Sequence, residues 1–374
     1  MKKIIVLGAG LIGKAIAIDL CGEYDVTAVD IRAENLKKIN LYHNIKGIHT
    51  DVSKPSKIKE VVTGADLVIG AVPGHMGYKT LKNVIKCGVN VVDISFFHED
   101  PFTLDELAKE NKVTAVVDCG LAPGMSNLIL GYHNRRMEIE SFECYVGGLP
   151  AKRYWPYEYK APFSPIDVIE EYTRPARIVE YGHVITKPAM SHPELINFEE
   201  IGTLEAFLTD GLRTLLNTMK IPHMKEKTLR YPGHINIMRA LRDSGFFSYE
   251  PVDIRGTSIR PIEMTTKLLF PKWHLEEEEP EFTVMKIIIE GVEKKQKKKY
   301  EYDLIDRYEE KHKTSSMART TGYPCTAMAR LIIDGKFKKK GICPPEFVSE
   351  SDECFDFIME FLARKDIHYN KRDM

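Results

Sequence analysis

Gly8, Gly10 and Gly13 stand in the run IIVLGAGLIGKA, directly after the β-type stretch Ile4–Leu7. A helical stretch to Leu20 follows, then a second β-type stretch from Asp25 to Val29 that ends in Asp30. Strand, Gly-x-Gly-x-x-Gly, helix, strand and acid in this order are what dinucleotide binding needs. Gly8 makes the tight turn, Gly10 lets the backbone approach a pyrophosphate, and Gly13 lets helix and strand pack closely. The helix opens at Leu11 and Ile12, where its first backbone N–H groups face phosphate oxygens. Asp30 can accept hydrogen bonds from both hydroxyls of an adenosine ribose, and its charge would repel a 2′-phosphate. The ligand expected is NAD rather than NADP, with Arg32 the residue that argues for the phosphorylated form.

Further candidates lie where open parallel sheets bind their ligands, past the carboxyl ends of strands. Asp51 and Val52 follow the stretch Lys46–Thr50. Ala71, Val72 and Pro73 close the stretch that starts at Asp66. These five are cofactor-contact candidates, and a plain loop explains each equally well. Asp93 ends the stretch Val89–Ile94, near where a nicotinamide should lie. It is a candidate base, with capping as its other explanation. A sixth apolar stretch, Val113–Val117, runs into the turn GLAPGMSN at 120–127, which carries Ala122 where a polar contact could stand. Helix-length segments separate the six stretches. The elements that must position these residues are therefore six parallel strands of a doubly wound α/β sheet.

The whole chain narrows the class. Its 374 residues suggest two domains. A net charge of −1 gives no bulk attraction to nucleic acid or an anionic membrane. No apolar run reaches the roughly 18 residues of a membrane span. The opening MKKIIVLGAG reads as a strand rather than a signal peptide, because Gly8, Gly10 and Lys14 break its apolar run. The seven cysteines show no CxxC spacing, which suits reduced, buried thiols in a cytoplasmic protein. No HExxH or Cys/His array suggests a metal. The charge runs EEEE at 276–279 and EKKQKKK at 293–299 read as solvated surface. The second lies between Thr283–Ile289 and Tyr300–Ile305 and predicts a hairpin tip.

After Asn127 strand-like pieces mix with short helices, which suggests an α+β domain. Helical patterns return at 325–335 and 353–365. Here the sequence resembles a known family. GAGLIGKA, VVDCGLAPGMSN, CYVGGLP, YKAPFSP, TLRYPGH and GICPPE, in this order, are similar to the saccharopine dehydrogenase-like family, and within it to the lysine 6-dehydrogenases. The resemblance implies a Rossmann-type doubly wound parallel sheet over 1–125, completed by C-terminal helices 321–374. It implies an α+β substrate-binding and dimerisation domain over 126–320, a homodimer, and oxidation of a carbon–nitrogen bond in an amino acid by a nicotinamide.

The glutamate-forming saccharopine reductases resemble GLDPGxDH at the turn where this chain has Ala122, Ser126 and Asn127. Their CGGLP is here Val146-Gly147-Gly148-Leu149-Pro150, and their Phe-Ser-Trp-Ser region is here Pro162-Phe163-Ser164. The resemblance thus implies a substrate smaller than saccharopine, lysine itself, with loss of ammonia from its ε-carbon. Saccharopine oxidation and a non-catalytic NAD-binding sensor or scaffold are the alternatives. His234, after Tyr231-Pro-Gly, is the first candidate for a base, and an ordinary turn histidine is the explanation weighed above it. Arg230 matches an arginine that the resemblance implies grips a substrate carboxylate, and a bidentate pair suits that role. Arg213 and Arg319 are weaker choices. Asp210 is a candidate for holding an ammonium, or else an Asp-Gly turn. Tyr159 and Lys160 match the reductases' Tyr-Lys and are expected to line the cleft, with Gly147, Gly148, Phe163, Ser164 and Ala122.

Overall fold

A computed structural model describes every residue except 43 and 277. The acidic run at 276–279 therefore lies partly outside the described residues. The strands of the first part are β1 Lys3–Leu7, β2 Asp25–Asp30, β3 Ile45–His49, β4 Leu67–Gly70, β5 Val91–Asp93 and β6 Thr114–Val116. Then follow β7 Glu138–Pro150, β8 Ala176–Glu180, β9 His183–Lys187, β10 Glu194–Phe198, β11 Gly202–Leu208 and β12 His223–Arg230. The series ends with β13 Val252–Ile254, β14 Thr257–Ile259, β15 Glu281–Glu293, β16 Gln296–Arg307, β17 Gly341–Cys343 and β18 Asn370–Asp373.

The chain divides into two compact units, one of residues 1–137 with 318–368 and one of residues 138–317 with 369–374. The first holds a parallel sheet in the order β17-β6-β5-β4-β1-β2-β3. Its central strands β1, β2 and β4 are short, largely buried apolar runs, as a sheet covered by helices on both sides requires. The strand order reverses between β1 and β4, which makes a switch point at their carboxyl ends. Six of these strands fall on the stretches read from the sequence. The seventh, β17, is three residues long and pairs in parallel with β6, too short for a periodic signal. Ile5, Leu7, Val29, Val68, Val91, Val117 and Ile342 share one core with the helices on that face.

The second unit is built on a nine-stranded sheet whose path runs β10-β11-β12-β7-β15-β16-β18, with β8 also paired to β12 and β9 paired to β8. It is mixed: β7 and β12 are parallel, and β15 is antiparallel to β7. Strands β15 and β16 form the hairpin expected from the charge run. Its tip is Lys294-Lys295, both with positive φ, so a two-residue turn of the twist-matched kind joins the strands. One expectation is corrected at the C-terminus. The helices read over 321–374 end before β18, whose residues 370–373 pair with the edge of β16. Lys298–Asp373 and Arg372–Asp303 ion pairs across that edge favour a strand there.

Candidate active site

At the end of β1, Gly8 has φ +103°, and a Cβ there would lie 2.2 Å from the Ala71 carbonyl oxygen. A Cβ on Gly13 would lie 2.0 Å from the Gly8 carbonyl oxygen. The chain's own backbone therefore demands both glycines. Gly10 differs, since nothing stands within 4 Å of its Cβ position. It precedes the helix Leu11–Leu20, which has no side-chain cap and no acidic residue in its first turn. Open space before an uncapped helix start is what a pyrophosphate needs, with the N–H groups at Leu11 and Ile12 as donors.

Asp30 ends β2 with its carboxylate held by three donors. Oδ2 accepts from Ala9 N at 2.8 Å and Asn35 Nδ2 at 3.0 Å, and Oδ1 accepts from Arg32 N at 2.7 Å. It thereby ties the glycine turn to β2, and Oδ1 keeps one lone pair for a ribose hydroxyl. These residues fit a nicotinamide dinucleotide.

The other strand-end candidates in this unit are occupied by structure. Asp51 accepts from Ser53 N at 3.0 Å and Ser53 Oγ at 2.6 Å, and these bonds hold its carboxyl below the usual range. The side chains of Val52 and Val72 lie in the core, which leaves their backbone as the part that a ligand could meet. Ala71 donates to the Leu7 carbonyl at 2.8 Å, and Pro73 caps the helix Gly74–Lys86. Asp93 is fully buried and accepts from Ser95 N at 2.8 Å. A Cβ on Gly70 would lie 1.9 Å from its Oδ2, so the ends of β4 and β5 interlock there. That is the capping explanation of Asp93, not an accessible base.

The turn after β6 is equally specific. Gly124 has φ +143°, and a Cβ on it would meet the Gly120 carbonyl oxygen at 1.9 Å. Asn127 Oδ1 accepts from Gly124 N at 3.3 Å and Ser126 Oγ at 3.1 Å, while Nδ2 donates to Glu346 Oε2 at 3.1 Å. Seven of the eight residues from Gly120 to Asn127 are buried, and Ala122 alone reaches the surface.

In the second unit, Arg230 ends β12 with its side chain 2% exposed. Three of its five N–H donors are taken: Nε donates to Tyr172 Oη at 3.0 Å, Nη1 to the Leu229 carbonyl at 2.9 Å and Nη2 to Glu171 Oε2 at 2.9 Å. The guanidinium lies 4.6 Å from the centre of the Tyr159 ring. Trp273 stands edge-on to Tyr159 and Tyr172, with ring centres 5.5 and 6.4 Å apart. Among the described residues, Tyr159 Oη and Trp273 Nε1 are buried with no hydrogen-bond partner.

His234 begins the helix His234–Asp243 and is fully buried in the same cluster. Its Nδ1 lies 2.6 Å from the Tyr157 carbonyl, which can only accept, so Nδ1 carries the proton. Its Nε2 accepts from Tyr172 Oη at 2.8 Å. Burial, then the nearby Arg230 charge, push the imidazole down to about 3. A neutral, enclosed imidazole with both nitrogens engaged agrees with the ordinary-histidine explanation of His234. Glu171 is the cluster's open side, with its side chain 23% exposed. Burial raises its carboxyl above the ordinary value, against the opposite pull of Arg230.

The remaining candidates serve the fold. Asp210 is clamped by Arg177, which donates from Nε at 2.9 Å, Nη2 at 2.8 Å and its backbone N at 3.0 Å. That is a correction to the ammonium-holding reading. Lys160 Nζ donates to Glu279 Oε2 at 2.6 Å. A Cβ on Gly147 would lie 2.6 Å from the Leu229 carbonyl oxygen, and one on Gly148 would lie 2.5 Å from Met317, so packing in the sheet explains both. Phe163 packs against the Tyr159–Trp273 core, and Ser164 precedes the helix Pro165–Thr173 without a side-chain cap bond. Arg213 is buried with φ +50°, and Arg319 donates to the Lys365 carbonyl at 2.9 Å.

Glu171, Tyr172 and Trp273 were not singled out in the sequence. The segment IEEYTRP carries two of them, but nothing in its spacing marks Glu171 over Glu170. Among the described residues no three His, Cys, Asp or Glu side chains gather as metal ligands, and no helix is long and apolar enough to cross a membrane.

A switch-point glycine turn on a doubly wound sheet, joined to a mixed-sheet unit with a buried arginine cluster, defines a two-domain dinucleotide-binding class. Residues 4–116 match the saccharopine dehydrogenase NADP binding domain, and residues 120–367 match the saccharopine dehydrogenase C-terminal domain. The chain belongs to the saccharopine dehydrogenase family.

It is 22% identical to the mitochondrial alpha-aminoadipic semialdehyde synthase of Mus musculus, covering 99% of this chain and 47% of that protein. It is 26% identical to the NADP(+), L-glutamate-forming saccharopine dehydrogenase of Pyricularia oryzae, covering 72% of this chain and 63% of that one. The chain thus spans less than two thirds of these curated relatives. The apo structure of the L-glutamate-forming saccharopine dehydrogenase of Saccharomyces cerevisiae matches over 100% of both chains, with a TM-score of 0.82 at 20% identity. That likeness establishes the shared fold.

Proposed function

We propose that this chain oxidises lysine at its ε-carbon with a nicotinamide dinucleotide, giving the aldehyde and ammonia. The observation that carries the reading is Ala122. It is the one residue of the turn at 120–127 that reaches the surface, so a ligand at the end of β6 meets a methyl group. The saccharopine reductases that the motif resembles have an acid at that position. A methyl there suits a substrate without saccharopine's second amino-acid half.

Bound nicotinamide would accept the hydride from the ε-carbon. The protein's part begins with binding: Arg230 holds the substrate carboxylate through the guanidinium that its cluster orients. The ε-ammonium must lose a proton before hydride can leave, which at pH 7 costs about 4–5 kcal/mol from an ordinary lysine value. Hydride and proton loss leave an iminium, which water converts to the aldehyde and ammonium. With His234 neutral and enclosed, its own ionisation does not supply that step, and the rate should climb into the alkaline range with the amine itself. Asp30 at the ribose position supports NAD as the preferred cofactor, in contrast to the NADP(+)-dependent saccharopine dehydrogenase of Pyricularia oryzae.

The reading is tested by incubating lysine with NAD⁺ and, separately, NADP⁺. NADH and ammonia in equal amounts, without glutamate, are expected. Turnover of saccharopine with glutamate release, and none of lysine, would establish the saccharopine reading, which the relatives' names favour. Cofactor binding without reduction by any amino acid would leave a sensor.

A further inference from the structure

Arg230 and Glu171 form a buried cation beside a carboxylate that opens to solvent. Glu171 Oε2 accepts from Arg230 Nη2 at 2.9 Å, and Oε1 has no donor among the described residues. The arginine side chain is 2% exposed and the glutamate side chain 23%, so the pair presents its acid outward. Beside them Tyr159 Oη is buried without a partner, and the Tyr159 ring lies under the guanidinium and packs against His234 and Trp273. A buried donor left unsatisfied implies a missing acceptor, because an unmade hydrogen bond in the interior costs about 1–3 kcal/mol. The spare guanidinium N–H groups and this phenol offer donors to an anion, while Glu171 Oε1 next to them offers an acceptor to a cation.

We infer that Glu171 receives the α-ammonium of the substrate while Arg230 and Tyr159 take its α-carboxylate, so that the cluster reads a free α-amino acid as a zwitterion. This rests on the proposal that the chain acts on lysine, and it names what makes lysine preferable to other primary amines. The geometry separates this role from that of a base at the reacting carbon. The α-nitrogen of an amino acid is two bonds from its carboxyl carbon, about 2.5 Å, whereas the ε-nitrogen is six bonds away. A carboxylate in direct contact with Arg230 reaches the first and not the second once the α-carboxylate sits on the guanidinium. Glu171 is thus a specificity residue rather than the group that accepts the reaction's proton.

The probe is 6-aminohexanoate, which is lysine without its α-amino group, compared with lysine by kcat/KM and by calorimetric binding to the cofactor-loaded protein. The wild type should favour lysine by tenfold or more, mainly in KM. Glu171→Gln should lower kcat/KM for lysine at least tenfold further than it lowers that for 6-aminohexanoate, which erases the preference. Glu171→Asp, which keeps the charge, should recover part of it. Melting curves confirm that both variants are folded.

An equal loss for both ligands would overturn the inference and make Glu171 a support for Arg230. A fall in kcat alone, with a shifted pH profile for both ligands, would overturn it in favour of a base. Should lysine not be oxidised at all, the calorimetric comparison still decides. Tighter binding of lysine than of 6-aminohexanoate, lost in Glu171→Gln, upholds the clamp while the proposed reaction fails. Equal binding defeats both.

Discussion

The dinucleotide end of the parallel sheet is made of backbone, whereas the Arg230 cluster is made of side chains. At the first, Gly8 and Gly13 are held as glycine by carbonyl oxygens 2.2 and 2.0 Å from their missing Cβ atoms. Polarity there comes from N–H groups at the start of a helix. At the second, a guanidinium, a carboxylate, two phenols, an imidazole and an indole share an interior. The first region is damaged by adding atoms and the second by removing a partner. The two should therefore fail differently, one by clash and one by uncompensated charge.

The largest effect is expected at Arg230. Replacing it by Met removes a buried cation and leaves Glu171 beside Tyr172 without its partner. Breaking a buried pair in this way costs about 3–5 kcal/mol. Urea unfolding of Arg230→Met should show that loss, and the double variant with Glu171→Gln should recover part of it, because no charge is then stranded. A loss below about 1 kcal/mol, the range of an exposed ion pair, would show that solvent at the open side of Glu171 already screens the pair.

The glycine turn gives a sharper and smaller contrast. Gly8→Ala forces a left-handed backbone onto a residue with a Cβ, about 1–2 kcal/mol by itself, and drives that Cβ into the Ala71 carbonyl. Thermal melting should fall and NADH binding should be lost. Gly10→Ala meets nothing within 4 Å. Its melting temperature should stay within error of the wild type while NADH affinity drops about tenfold, as the methyl enters space that the pyrophosphate needs. If Gly10→Ala binds NADH normally, the space at Gly10 is not the cofactor's, and the contrast between a structural and a ligand-facing glycine collapses.

This contrast also explains what could be read from the sequence. The turn is local: Gly8, Gly10, Gly13 and Asp30 fall within one strand–helix–strand unit, so their spacing alone reveals them. The six apolar strands were legible for the same reason. The Arg230 cluster is assembled from Tyr159, Glu171, Tyr172, Arg230, His234 and Trp273, which only the packing of three helices against β12 brings together. Arg230 and Tyr159 came to notice through family motifs. Glu171 and Trp273 had no such mark. His234 drew attention as a base for a physical reason. An ordinary histidine value makes it look like a base, and nothing in TLRYPGH reveals that the ring is enclosed. The clamp on Asp210 is hidden in the same way, because its partner Arg177 lies in β8, 33 residues earlier in the chain.

The smallest effect, per unit of pH, belongs to His234, and it probes whether the cluster is closed. In the unfolded chain this imidazole titrates near 6.5, and in the folded protein burial and Arg230 hold it at about 3. Above pH 6.5 it is neutral in both states and contributes no pH dependence. Below that, the unfolded state takes up a proton that the folded state refuses, so stability falls with falling pH. The slope is about 1.4 kcal/mol per pH unit, and it continues until the folded imidazole is itself protonated near pH 3. Carboxylates add their own slopes at the acid end, so the measurement is a difference. Urea unfolding of the wild type and of His234→Gln is compared from pH 8 to pH 4. The variant should be less stable at pH 8, having lost the acceptor for Tyr172, yet its curve should converge on that of the wild type below pH 6.5. Parallel curves would mean that water reaches the imidazole. In that case the cluster is open, and His234 returns as a candidate base.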